Sequence, residues 1–282
     1  MIYLHIGLPK TATSSLQEFL YEESDNCHIN YLGVNQPRGQ GKEHHFYTQL
    51  ICFMNSQTPE ELSKNLDVCR KTLTSLINGS QTPLFLSEEM LTVDNLGITW
   101  QMKIDRLSML LSGIQYKIIV TTREPVSALH SFYTEIYHDV KLDYPSLSVF
   151  CESNNNAKIY DYNNLRSILN DSFDMSEVVF FPFEGLIKKN GIQNFLSAIN
   201  VSHSPDSSLI ETNTKKKTSN GSYTRKLFFR EKIDKLDIAY SKKEKLYRIF
   251  GECEIPFSSK FIKKLSGDKL NHVEVLYKSE LY

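Results

Sequence analysis

The sequence predicts an α/β fold, a single domain built on a central parallel β-sheet flanked by helices. Three observations carry this expectation. Short apolar runs with strand character recur at Ile2–Ile6, Leu84–Ser87, Tyr116–Thr121 and Val178–Phe181. Stretches of helical periodicity lie between them, and such alternation suits a parallel sheet covered on both faces. At 282 residues, 40% hydrophobic and 23% charged, the chain has the size and composition of a globular protein with a sizeable core.

Taken in order, the first strand runs into Gly7 and then into a helix over Ser14–Tyr21, which sets Leu16, Phe19 and Leu20 on one face. Gly33–Glu43, rich in Gly, Gln and Pro, reads as a loop. Pro59–Ile77 reads as a longer amphipathic helix, and Pro125–His138 starts with proline at a favoured first helical position. Residues 161–171 and 185–199 also read as helical. The polar stretch His203–Ser222 is a second loop, and a basic helical segment, Tyr223–Leu246, follows it. No break in composition isolates that segment, so residues 1–282 are expected to form one domain, with 223–282 a mainly helical C-terminal part.

The formal charge of −1 hides an asymmetry: residues 211–282 carry 17 Lys and Arg against 10 Asp and Glu, residues 1–210 carry 15 against 23. A basic C-terminal part can draw in an anionic ligand, although solvated helix faces explain it equally well. No nucleic-acid partner is expected. The five cysteines are scattered, with no C-x-x-C pair and no histidine spacing that suggests zinc, and read as reduced packing thiols. Apolar runs fall far short of the ~20 residues that span a bilayer, and Met1 passes at once into strand residues, leaving no room for a signal sequence. A cytoplasmic location is the expectation.

Two segments carry chemistry. In Gly7-Leu-Pro-Lys10-Thr11-Ala12-Thr13-Ser14-Ser15 a strand gives way to a helix through a glycine, a lysine and a cluster of hydroxyls. Amides at a helix N-terminus and the helix dipole favour an anion there, and Lys10 adds a mobile positive charge. A plain N-cap on the helix explains the hydroxyls equally well. The spacing is not that of the Walker loop, G-x-x-x-x-G-K-S/T. Lys10 follows Gly7 by three residues with no second glycine, so a shorter loop would grip a smaller terminal group than a nucleoside triphosphate presents. In the second segment Arg123 stands where a strand ends, Pro125 opens a helix, and Ser127 and Ser131 share one face of it. An arginine fork beside a hydroxyl suits a phosphate monoester, while a surface ion pair for Arg123 is the alternative.

With both segments in view, the chain resembles the sulfotransferases that use 3′-phosphoadenosine 5′-phosphosulfate (PAPS). In that family a G-x-x-K-T-G-T-S/T-S-L loop holds the 5′-phosphosulfate and an R-x-P-x(5)-S segment holds the 3′-phosphate. This sequence has Gly7, Lys10, Thr11, Ala12, Thr13, Ser14, Ser15 and Leu16 at the first, and Arg123, Pro125 and Ser131 at the second. Phe85-Leu-Ser87-Glu88-Glu89 is similar to the S-x-E corner of bacterial members, and Glu184-Gly-Leu186 to a late E-x-L corner. The segment around Lys215 and Lys217 lies where the family has a polar loop that closes over the cofactor. Ala12 departs from the pattern, which has glycine there; if the position needs a positive φ, alanine is strained.

The resemblance implies a PAPS-dependent enzyme that transfers a sulfuryl group to a hydroxyl, with a carbohydrate or glycolipid as acceptor. In-line attack, with positioning and electrostatics doing most of the catalysis, asks for no metal. Lys10 is the expected partner of the oxygen bridging sulfur and phosphorus. The base is expected among Glu43, His44 and His45, with His45 preferred and Glu43 the acidic alternative. Glu88 and Glu89 are further candidates for the base or for holding the acceptor, unless they cap the helix after their strand. A P-loop-type small-molecule kinase and a non-catalytic nucleotide-binding module are the two other readings.

Overall fold

The computed structural model describes residues 1–34, 43–140 and 142–201, and further on Leu236, Ile238 and the short elements Arg225–Leu227, Tyr240–Leu246 and Glu252–Glu254. Five parallel strands form the main sheet: β1 (Ile2–His5), β2 (Asn30–Tyr31), β3 (Leu84–Ser87), β4 (Tyr116–Thr122) and β5 (Val178–Pro182), in the order β2-β3-β1-β4-β5. β1 is central, and its residues Ile2–His5 pair with Leu84–Ser87 on one side and Tyr116–Ile119 on the other. The chain first builds towards β2 and then crosses to β4 and β5. The sheet therefore reverses its winding between β1 and β4, which is where open α/β sheets bind ligands, outside the carboxyl ends of the strands.

Side chains alternate across the three middle strands. Ile2, Leu4, Leu84, Leu86, Ile118 and Val120 point to one face and join a core with Trp100, Ile104, Leu107 and Leu165. Tyr3, Phe85 and Ile119 point to the other, where they meet Leu16, Phe19, Phe195 and Leu196. Burial on both faces calls for near-continuous apolar runs, as at Ile2–Leu4, Leu84–Leu86 and Ile118–Val120. Helices α1 (Thr13–Glu22), α2 (His45–Met54), α3 (Pro59–Gly79), α4 (Trp100–Leu111), α5 (Pro125–Val140), α6 (Leu147–Ser153), α7 (Tyr162–Ser172), α8 (Phe183–Leu186) and α9 (Gly191–Ala198) make up the layers.

The expected strands and the helices at 14–21, 59–77, 125–138 and 161–171 are present with ends shifted by a few residues. The stretch 185–199 is not one helix: α8 ends at Leu186 and α9 begins at Gly191. The break is steric, because a Cβ at residue 191 would stand 1.9 Å from the Leu186 carbonyl oxygen, so only glycine lets the chain turn back there. Within the segment expected to be helical from 223 to 246, Arg225–Leu227 is instead strand β6, antiparallel to β7 (Glu252–Glu254), while Tyr240–Leu246 is helix α10. Lys215 and Lys217, residues 35–42 of the first loop and most of 202–282 lie outside the described residues.

Candidate active site

The turn between β1 and α1 is tied down by its carbonyls. Thr11 Oγ1 donates to Leu8 O at 2.7 Å, Tyr160 to Pro9 O at 2.7 Å, and Arg123 Nη1 to Lys10 O at 3.0 Å, while the Thr92 hydroxyl lies between Gly7 O at 2.9 Å and Glu89 O at 2.7 Å. Three successive backbone acceptors are thus satisfied from within the protein, which removes their negative ends from any ligand in the turn. Lys10 and Ala12 both take left-handed conformations, at φ 69° and 62°, and an alternation of this kind curls backbone amides towards a common centre. Ala12 is the N-cap of α1 and offers no side-chain cap, whereas α2, α3, α4, α6 and α7 each receive one and Glu124 caps α5. An anion can take the place of that cap at the helix N-terminus.

Two of the hydroxyls in this loop turn inward. Thr11 is fully buried and its oxygen lies 2.8 Å from Thr121 Oγ1. Thr13 is also buried, packed where a Cβ on residue 7 would come within 2.2 Å of its Oγ1, so Gly7 is required by close approach. Ser14 and Ser15 stay half-buried at the surface with Lys10.

Arg123 follows β4, the neighbour of β1, so the two expected anion sites meet at the carboxyl ends of adjacent strands. Its guanidinium spans them: Nη1 binds the Lys10 carbonyl, and its central carbon stands 4.7 Å from the centre of the Phe183 ring. Tyr162 fixes the same corner, its hydroxyl accepting from Arg123 N at 3.1 Å and donating to Arg123 O at 2.5 Å. Glu184, in α8, accepts from the Glu124 amide at 3.2 Å through Oε1, and its buried Oε2 has no hydrogen-bond partner among the described residues. That oxygen could receive a hydroxyl or amino group from a ligand in this corner.

Helix α5 presents Ser127, Ser131 and Glu135 at four-residue spacing on one face. Glu135 forms an ion pair with Lys10, a contact the sequence reading missed although the i, i+4 step from Ser131 could have pointed to it. Glu88 and Glu89 are placed differently. Glu88 is fully buried and caps the short turn after β3, accepting from Met90 N at 2.6 Å. Lys103 secures that turn from α4, donating to Met90 O at 2.8 Å and Val93 O at 2.6 Å. Burial pushes the Lys103 ammonium down to about 8, against the opposing pull of Asp94 and Glu88. Glu89 is half-buried in the turn.

Of the expected bases, His44 is the N-cap of α2 and its Nδ1 accepts from Phe46 N at 3.2 Å. Its pKa is lowered by burial first and by His45 second, and the two rings lie 4.4 Å apart. His45 is exposed and Glu43 half-buried at the edge of the described loop.

No protein-family model matches the chain, and no curated protein does. Among solved structures it is similar to a sulfotransferase from Alicyclobacillus acidocaldarius, at 14% identity and a TM-score of 0.44, over 99% of this chain and 96% of that one.

Proposed function

We propose that this protein is a sulfotransferase that takes the sulfuryl group of PAPS and passes it to a hydroxyl of a carbohydrate or glycolipid. The observation that carries the reading is the junction of the Lys10 turn and the Arg123 corner through the Arg123 hydrogen bond to Lys10 O. Two cationic anion sites so joined suit one ligand with two separated anionic groups. The turn would hold the 5′-phosphosulfate on the first amides of α1, with Ser14 and Ser15 at its rim. Arg123 and Ser131 would hold the 3′-phosphate.

Lys10 would neutralise charge on the oxygen that leaves with the phosphate, as the acceptor oxygen attacks sulfur from the opposite side. In the structure the lysine instead contacts Glu135, whose side chain is 53% exposed. An exposed pair of this sort is worth about 0–1 kcal/mol, so a doubly anionic phosphosulfate would displace the carboxylate. One of Glu43, His44 and His45 would take the acceptor proton. His45, exposed and not committed to capping a helix, remains the first choice.

Incubation with PAPS carrying a radiolabelled sulfuryl group and a panel of oligosaccharides and glycolipids tests the reading. Label should move to an acceptor hydroxyl, and Lys10→Ala should lower turnover by about 10²–10³-fold, the range for removing one group that stabilises developing charge. Equal turnover in the variant would remove Lys10 from the chemistry.

A further inference from the structure

One polar cluster lies under the anion turn and is not used by the chemistry above. On the face that carries Tyr3, Phe85 and Ile119, the next residue up each strand is polar: His5 on β1, Ser87 on β3 and Thr121 on β4. All three are fully buried. His5 Nδ1 lies 2.7 Å from Ser87 Oγ, and His5 Nε2 lies 3.0 Å from Thr121 Oγ1. Thr121 Oγ1 in turn lies 2.8 Å from Thr11 Oγ1, and Thr11 Oγ1 lies 2.7 Å from the Leu8 carbonyl.

The last of these links fixes the direction of the rest. A carbonyl can only accept, so the single hydroxyl proton of Thr11 is committed to Leu8 O. Thr121 must then donate to Thr11, which leaves Thr121 to accept, and His5 Nε2 must carry the ring proton that reaches it. His5 Nδ1 is bare and accepts from Ser87. A positively charged ring would need an acceptor at both nitrogens and would turn Ser87 around in a buried site. Burial favours the same neutral form, pushing the pKa of His5 down to about 3. The Phe195 ring packs nearly perpendicular to the imidazole, with ring centres 6.1 Å apart.

We propose that His5 is a positioning residue: through Thr121 and Thr11 it locks the anion turn onto three strands, holding Lys10 and Ala12 in their left-handed conformations and so keeping the turn shaped for its ligand. The specific claim is that the chain of hydroxyls sets turn geometry, over and above filling the core. A second consequence is that Thr11 has no proton to offer the ligand and serves it only through its place in the backbone. The role of the turn as a PAPS site rests on the proposed function; the direction of the hydrogen-bond chain does not.

Nitrogen NMR of the intact protein reads the direction. His5 should show one protonated nitrogen, Nε2, with no titration between pH 5 and 8, and a protonated Nδ1 or a charged ring would overturn the proposal whether or not PAPS binds. Two variants separate positioning from packing. Thr121→Val leaves the His5 donor unpaired, and should lower the melting temperature and weaken binding of adenosine 3′,5′-bisphosphate by about tenfold, the equivalent of one hydrogen bond in a buried site. Adding His5→Phe together with Ser87→Ala removes the ring and both hydroxyls that paired with it, which restores stability without restoring a hydrogen bond. The triple variant should therefore regain melting temperature while its affinity stays low and amide exchange over residues 8–13 stays fast. Recovery of affinity and of slow exchange together with stability would show that His5 only fills space. If the wild-type protein does not bind the nucleotide, amide exchange alone decides between the two.

Discussion

Ala12 occupies a position that asks for glycine. Its φ of 62° is one that L-residues adopt at a cost of roughly 1–2 kcal/mol relative to the right-handed region. Ala12→Gly should therefore stabilise the protein by about 1 kcal/mol, somewhat less than the strain because glycine loses more chain entropy. Denaturant melts would register it as a higher midpoint at unchanged slope, and a lower midpoint would mean that the Ala12 methyl packs to advantage. That Gly7, Lys10 and Arg123 follow strand ends was legible in the sequence, because an apolar run leads into each turn. The role of His5 was not, since a lone histidine in an apolar strand gives no sign of which hydroxyls its neighbours in the sheet will bring. His5 also predicts a pH dependence. Its pKa is 6.5 in an unfolded chain and about 3 in the fold, so between those values the unfolded state holds the extra proton. Stability from this group is complete above pH 6.5 and falls by about 1.4 kcal/mol for each unit of acidification below it, levelling off near pH 3. Urea melts from pH 7 to 4 should be less steep in pH for His5→Phe than for the wild type; parallel curves would contradict the buried neutral ring.

At the scale of elements, the strand-turn-helix units were the readable part. β1, β3, β4 and β5 announce themselves as apolar runs because both of their faces are covered. β2 is two residues long and has too little sequence to declare itself. Helix α4 was missed although Trp100, Ile104, Leu107 and Leu111 repeat at helical spacing, and it matters because Lys103 and Arg106 on it anchor other elements. Arg106 donates to Met54 O at 2.6 Å and Ser56 O at 3.0 Å, closing the end of α2. Truncation to Arg106→Ala would leave these buried carbonyls unpaired and should lower stability by about 1–3 kcal/mol, seen as a fall in denaturation midpoint; a change under half a kcal/mol would mean that water replaces it. The α5 pair behaves oppositely. Glu135→Gln removes an exposed ion pair and should shift stability by less than about 0.5 kcal/mol. A melting temperature lowered by many degrees would show that the pair holds α5 to the turn.

For the whole molecule, the sheet order explains why two segments more than a hundred residues apart can act together. β1 and β4 are neighbours with opposite onward paths, so the turn after one and the corner after the other share an edge. Among the described residues no helix is long and apolar enough to cross a membrane. The choice of acceptor was not legible, because it belongs to loops whose sequence gives polarity without shape. The central claim is that the Lys10 turn and the Arg123 corner hold the two anionic ends of one nucleotide. Thermal unfolding with adenosine 3′,5′-bisphosphate, set beside adenosine 5′-monophosphate and ATP with magnesium, tests it most directly. At a ligand concentration a hundred times its dissociation constant the bisphosphate should stabilise the fold by about 2.7 kcal/mol, and Arg123→Ala should weaken its binding by about 1.5–3 kcal/mol. Stabilisation by ATP and magnesium with none by the bisphosphate, or a bisphosphate affinity that survives the loss of Arg123, would contradict it.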